Sequence, residues 1–156
     1  MQHIILIGLP GSGKTSAGQR LARRFCLPLV DADQVFEALA GQSMTSYFAQ
    51  HGEAAFRAQE TATLRNILAA QEPCVLSTGG GAVLRAENRA LLKAGGTVVY
   101  LLAQPNAIYQ RLRNDTQRPL LQVADPRAKI KALFEERDAL YREIAHLVVE
   151  TGTNSL

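Results

Sequence analysis

Two cysteines in 156 residues, Cys26 and Cys74, leave no material for a disulfide framework and show no metal-ligand spacing. Both sit beside apolar residues, so they are expected to be small buried hydrophobes in a reducing cytosol. No apolar run reaches the length of a membrane-spanning helix, and Met1-Gln2-His3 leads straight into Ile4-Ile5-Leu6-Ile7 without a basic segment. The expectation is a cytoplasmic chain with no leader and no membrane partner. No block of Lys or Arg exists either, and 17 basic against 14 acidic residues give a net charge of only +3. That excludes the proteins that lay a basic strip along a nucleic-acid backbone. Internal repeats and low-complexity tracts are absent. What is present is a single domain over residues 1–156, 47% hydrophobic, with enough apolar material for a core.

The chain is organised around Gly8-Leu9-Pro10-Gly11-Ser12-Gly13-Lys14-Thr15, followed by Ser16. An apolar run precedes it and a helical pattern follows, which is the context that gives G-x-x-x-x-G-K-[ST] its meaning. The glycines let the backbone turn so that successive N–H groups face phosphate oxygens. The helix N-terminus adds partial positive charge. Lys14 is placed to reach the terminal phosphates, and the Thr15 hydroxyl to ligate Mg²⁺. The loop therefore implies binding of a nucleoside triphosphate, and the open question is what receives the phosphoryl group.

Periodicity predicts strands at 4–7, 28–30, 74–77, 97–102 and 146–150. It predicts helices over 14–25, 34–40, 45–50, 53–70, about 86–93, 106–113, and from Pro126 to about Glu143. Continuous apolar strands alternating with helices imply a parallel sheet covered on both faces. Ligands of such sheets bind beyond the carboxyl ends of the strands. The polar clusters of this sequence fall at those ends.

Asp31 and Asp33 flank Ala32 after the second strand. In an extended segment they point to opposite faces, one serving Mg²⁺ through water and the other accepting a hydroxyl proton; alternatively one caps the helix that follows. Arg57 and Glu60 are three apart on one helix face, which makes either a carboxylate-oriented anion ligand or a surface ion pair. Thr78-Gly79-Gly80-Gly81 strips side chains from a strand end, permitting close backbone approach to a ligand. Arg118 lies in a long irregular stretch, where it is either a lid arginine for the transferring phosphoryl group or a solvated one. Arg111 is placed either over a nucleobase or on the surface, and Arg137 with Tyr141 shares a helix face that reads as surface if nothing docks there. His51 and His146 are expected to pack or hydrogen-bond locally.

Together these residues resemble shikimate kinase nearly end to end. The likeness covers Gly8–Thr15, Asp31-Ala32-Asp33, Gly52-Glu53 with Phe56-Arg57 and Glu60, Ser77–Gly81, Arg118-Pro119-Leu120-Leu121, and Glu136-Arg137 with Leu140-Tyr141. The phosphate loop is shared by many nucleotide hydrolases and kinases; the triple glycine combined with the lid arginine is far more specific. The resemblance implies a three-layer P-loop kinase fold with strand order 2-3-1-4-5, a substrate-binding segment at about 32–60 and a lid at about 112–125. It implies ATP and Mg²⁺ as cofactors, shikimate as the small-molecule substrate, and phosphorylation of its 3-hydroxyl in aromatic amino-acid biosynthesis. A monomer is expected.

The same resemblance implies roles. Asp33 contacts ring hydroxyls and is the base. Arg57, Arg137 and the Gly79–Gly81 backbone hold the substrate carboxylate. Lys14 and Arg118 neutralise the moving phosphoryl group. Gly11, Ser12, Gly13, Ser16 and Arg111 contribute to the nucleotide site, and Thr15 with Asp31 (through water) serves the metal. One departure stands out: family members continue past the fifth strand into a turn and a final helix, whereas this sequence stops at Leu156. The expectation is weaker nucleotide binding and an exposed apolar strip where that helix would pack.

Two other readings remain. A gluconate kinase would also take a carboxylate-bearing polyol. A non-catalytic nucleotide-binding module would show decay at Lys14, Asp33 or Arg118, and none has decayed.

Overall fold

The computed structural model describes residues 1–113 and 123–152. Arg118 and most of the expected lid at 112–125 lie outside the described residues.

Five parallel strands form one sheet in the order β2-β3-β1-β4-β5. They are β1 (His3–Ile7), β2 (Leu29–Asp31), β3 (Val75–Ser77), β4 (Gly96–Ala103) and β5 (Leu147–Thr151). The register pairs Ile5 with Leu76 and Val98, and Tyr100 with Val148. The helices are α1 (Lys14–Phe25), α2 (Ala32–Ala40), α3 (Met44–Leu68), α4 (Ala86–Gly95), α5 (Pro105–Leu112) and α6 (Pro126–Ile144).

The strands alternate their side chains between two packed faces. On one face Ile5, Ile7, Leu76, Val98 and Tyr100 join Leu64 and Ile67 of α3, Leu92 of α4, Ile108 of α5, and Ile130 and Ile144 of α6 in one core. Each such fully buried aliphatic contributes about 2 kcal/mol of transfer free energy. On the other face Ile4, Leu6, Val99 and Leu101 meet Ala17, Leu21 and Phe25 of α1 across an apolar groove of about 660 Å³ that also takes in Leu147 and Val149. The three valine and leucine residues of β5 are exposed: Leu147 56%, Val148 46% and Val149 46%.

Two local readings are corrected. The second helix starts at Ala32 rather than Gln34, because Asp31 Oδ1 accepts from the Asp33 and Gln34 amides as an N-cap. Asp33 thereby leaves the extended segment and sits in the first turn of α2. Helix α3 contains the two helical pieces expected at 45–50 and 53–70, and the break expected between them falls at Gly52 (φ 84°, ψ 175°), where the chain leaves helical geometry. Cys26 is exposed, not buried: it takes the left-handed position that ends α1 (φ 55°), which turns it outward, while Cys74 is buried as expected. His146 Nδ1 accepts from the Val98 amide and His51 packs on Tyr47, as local partners.

No helix among the described residues is long and apolar enough to cross a membrane.

Candidate active site

The parallel strands end on one side of the sheet, and β1, β2 and β3 each deliver part of the site there. β1 runs into the phosphate loop, which ends at Gly13, the left-handed N-cap of α1 (φ 101°). β2 ends on Asp31, and β3 ends on Ser77 just before the three glycines. Between them lies a cleft of about 460 Å³.

Gly11, Gly13, Lys14, Thr15 and Ser16 line one wall of the cleft, with Arg111 at its rim. Asp31, Asp33, Gly79 and Gly80 line the facing wall. Lys14 Nζ donates to the carbonyls of Gly8 (2.5 Å) and Leu9 (3.0 Å), so its charge lies across the inside of the loop. Among the described residues of the expected site, Ser12, Arg57, Gly81 and Arg137 stand outside the cleft lining. The Ser12 side chain is buried, and its N–H donates to the Leu9 carbonyl at 3.1 Å.

The glycine run is where the other expected residues converge. A methyl group placed on Gly79 would lie 2.9 Å from Asp33 Oδ1. On Gly80 it would lie 3.3 Å from Arg137 Nη1 and 2.8 Å from Pro10 Cδ, and on Gly81 2.7 Å from Arg57 Nη1. Any side chain here would displace a carboxylate, a phosphate-loop proline or a guanidinium, which explains the three glycines better than turn geometry does.

Arg57 is held by Glu60 at 3.0 Å and donates to the Gly81 carbonyl at 3.3 Å. Both Arg57 and Glu60 are largely buried, so this is not a solvated surface pair. Arg137 lies one helical turn before Tyr141, whose hydroxyl donates to the Gly80 carbonyl at 2.6 Å. The shared face of α6 is thus inward. Arg57 and Arg137 each keep a buried Nε with no hydrogen-bond partner among the described residues. Buried donors of that kind call for an acceptor that the described residues do not supply.

Electrostatics set Asp33 apart. Burial pushes its carboxyl up to about 6, the charges of Asp31, Glu60 and Glu37 add to the rise, and Lys14 opposes it. Burial also raises Glu60, while Arg57 pulls it back. A carboxyl that ionises near neutrality at the edge of a cleft is suited to taking a proton.

A supporting layer was not legible in the sequence. Arg85 Nη1 donates to the Arg57 carbonyl (3.2 Å) and to Thr61 Oγ1 (2.8 Å), and the Thr61 hydroxyl lies 2.6 Å from Asn88 Oδ1. Tyr100 donates to Asp138 Oδ1 at 2.7 Å and packs on the Tyr141 ring at 4.8 Å. These contacts join residues distant in sequence, so no spacing announces them. The helical spacing of Arg137 and Tyr141 was the one available signal.

No cluster of three metal-ligating side chains occurs among the described residues. Thr15 and Asp31 beside the phosphate loop suit a Mg²⁺ ion that takes most of its ligands from phosphate oxygens and water.

The geometry finds its counterparts among known proteins. The shikimate kinase family model matches residues 10–156. A shikimate kinase of Burkholderia pseudomallei is 49% identical over 154 residues, spanning 99% of this chain and 83% of the relative. The structure of shikimate kinase from Acinetobacter baumannii in complex with shikimate superimposes with a TM-score of 0.91 at 40% identity, covering 99% of this chain and 86% of that one. A gluconokinase from Sinorhizobium meliloti, covering 99% of this chain and 84% of that one, reaches a TM-score of 0.66 at 19% identity and so shares the fold alone. The chain belongs to the shikimate kinase family.

Proposed function

We propose that this chain transfers the γ-phosphoryl group of ATP to the 3-hydroxyl of shikimate, a step of aromatic amino-acid biosynthesis. The observation that carries the choice of acceptor is the convergence of Arg57 and Arg137 on Gly80–Gly81, each with a buried Nε that has no partner among the described residues, next to a cleft that Lys14, Asp33 and Gly80 line. A small carboxylate fills that demand, and the adjacent Asp33 accepts from its hydroxyls.

In this reading the hydroxyl oxygen forms a bond to the γ-phosphorus as the bond to the bridging oxygen breaks, and the proton goes to Asp33. Transfer of this kind needs mostly positioning and charge neutralisation. Arg57 and Arg137 fix the carboxylate end of the acceptor, Asp33 orients and deprotonates the other end, and Lys14 and Arg118 offset charge on the moving group. Gly11, Gly13, Ser16 and Arg111 border the nucleotide. Thr15, with Asp31 through water, would hold Mg²⁺, which supplies Lewis-acid stabilisation of the phosphate oxygens. The protein acts as a monomer in the cytoplasm.

The test is a phosphorylation assay with purified protein, ATP and Mg²⁺ offered shikimate and gluconate separately, with the product identified by phosphorus NMR. Shikimate 3-phosphate is expected, and preference for gluconate overturns the assignment.

A further inference from the structure

Two side chains from the last third of the chain grip the phosphate loop. Arg111, in the last turn of α5, donates from Nη1 to the Gly11 carbonyl at 2.8 Å. Thr151, the last residue of β5, donates from Oγ1 to the Ser12 carbonyl at 2.9 Å. Arg111 was expected near the nucleotide from the sequence, whereas Thr151 belongs to no motif.

Planarity gives these bonds a consequence. In a trans peptide the C=O and the N–H of the next residue point in opposite directions. The Gly11–Ser12 peptide is fixed at both ends, its carbonyl by Arg111 and its N–H by the Leu9 carbonyl. The Ser12–Gly13 peptide is fixed at its carbonyl by Thr151, which turns the Gly13 N–H the other way. Gly13 lines the cleft and holds a left-handed conformation (φ 101°). Glycine has access to many orientations, so this peptide needs an external constraint to keep one of them. The Ser12 hydroxyl does not provide it: it is buried, with no partner among the described residues.

We propose that Thr151 is a positioning residue for the nucleotide, holding the Ser12–Gly13 peptide so that the Gly13 amide stays aimed at phosphate. This rests on the reading of the loop as the ATP cradle. It makes nucleotide affinity depend on the end of the fifth strand without any contact between Thr151 and the nucleotide.

Thr151→Val keeps the β-branched shape and removes the donor; Thr151→Ser keeps the donor. Thr151 is half-buried at the end of an edge strand, so folding survives the loss of one hydroxyl, and thermal melting verifies it. Thr151→Ala is a second variant with the same expectation. ATP affinity is measured by calorimetry, and KM for ATP and for shikimate by steady-state assay. Thr151→Val is expected to weaken ATP about five- to tenfold, the scale of one hydrogen bond, with shikimate KM within about twofold. Thr151→Ser is expected to restore ATP affinity. ATP affinity unchanged in Thr151→Val, equal losses for both substrates, or a loss that Ser does not recover overturns the proposal. Lys14→Ala serves as the control for the cradle itself. If it abolishes ATP binding while Thr151→Val changes nothing, only the positioning role fails. If it leaves ATP binding intact, the cradle reading fails and the positioning role with it.

Discussion

The Tyr141 hydroxyl donates a 2.6 Å hydrogen bond to the Gly80 carbonyl, tying α6 to the glycine turn that ends β3. Tyr141 is 1% exposed, and burial raises its phenol further above the physiological range, so it remains a donor throughout. Arg137 sits one turn earlier on the same helix and faces the same glycine. The bond therefore sets the spacing between a guanidinium and the backbone it works with. Tyr141→Phe is expected to lower stability by about 1 kcal/mol and raise shikimate KM several-fold while leaving ATP KM unchanged. Thermal melts and initial rates check both parts, and a shift in ATP KM of the same size contradicts the assignment.

Asp33 carries opposite demands for stability and activity. Its carboxyl ionises at about 6 in the folded protein against an ordinary value of 3.8. The native state binds the extra proton, so Asp33 stabilises the fold below pH 3.8, and that contribution is lost as pH rises through about 6. Asp33→Asn is expected to lose turnover by about a hundredfold or more. It is expected to gain up to about 2 kcal/mol of stability at pH 8, a gain that vanishes by about pH 4. Denaturant titrations at both pH values decide the stability part. For the wild type, kcat/KM for shikimate is expected to rise with an apparent pKa near 6; a flat profile across that range removes Asp33 as the base.

Arg57 is best probed by Lys rather than Ala. Removing the guanidinium outright leaves Glu60 as a buried carboxylate without its partner, and the fold itself suffers. Arg57→Lys retains the charge and loses the planar fork. Shikimate KM is expected to rise about tenfold or more, with ATP KM unchanged. Parallel saturation curves for the two substrates measure this, and an unchanged shikimate curve denies Arg57 its place in the cup.

The role of Arg118, which lies outside the described residues, comes from the family resemblance. Arg118→Ala is expected to lower kcat about 10³-fold, with shikimate affinity held within a few-fold, because its charge is needed at the moving phosphoryl group. Calorimetric binding and kcat on the same preparation separate the two, and normal turnover ends the lid assignment.

The sheet was readable because strands of a parallel sheet are short continuous apolar runs, and the five of them here are interrupted by helices with helical apolar spacing; β1, β3 and β4 are the buried ones. The phosphate loop was readable because its chemistry is local in sequence. Asp33 was placed in the wrong local structure, since the Asp31 cap that starts α2 two residues early competes with the extended form. The exposed Cys26 was misjudged because its apolar neighbours say nothing about the left-handed turn that expels it. The Tyr141–Gly80 and Thr151–Ser12 bonds span 61 and 139 positions, and the Arg85–Thr61–Asn88 network joins two helices. Only packing brings such partners together, so no motif reports them.

The central claim is that Arg57, Arg137 and the glycine turn form a cup for a carboxylate that places one hydroxyl opposite the terminal phosphate. The direct measurement compares kcat/KM for shikimate with that for its uncharged methyl ester. Loss of the charge is expected to cost the wild type about a hundredfold or more, and Arg57→Lys is expected to shrink that gap. Equal use of the acid and the ester by the wild-type protein would contradict the account.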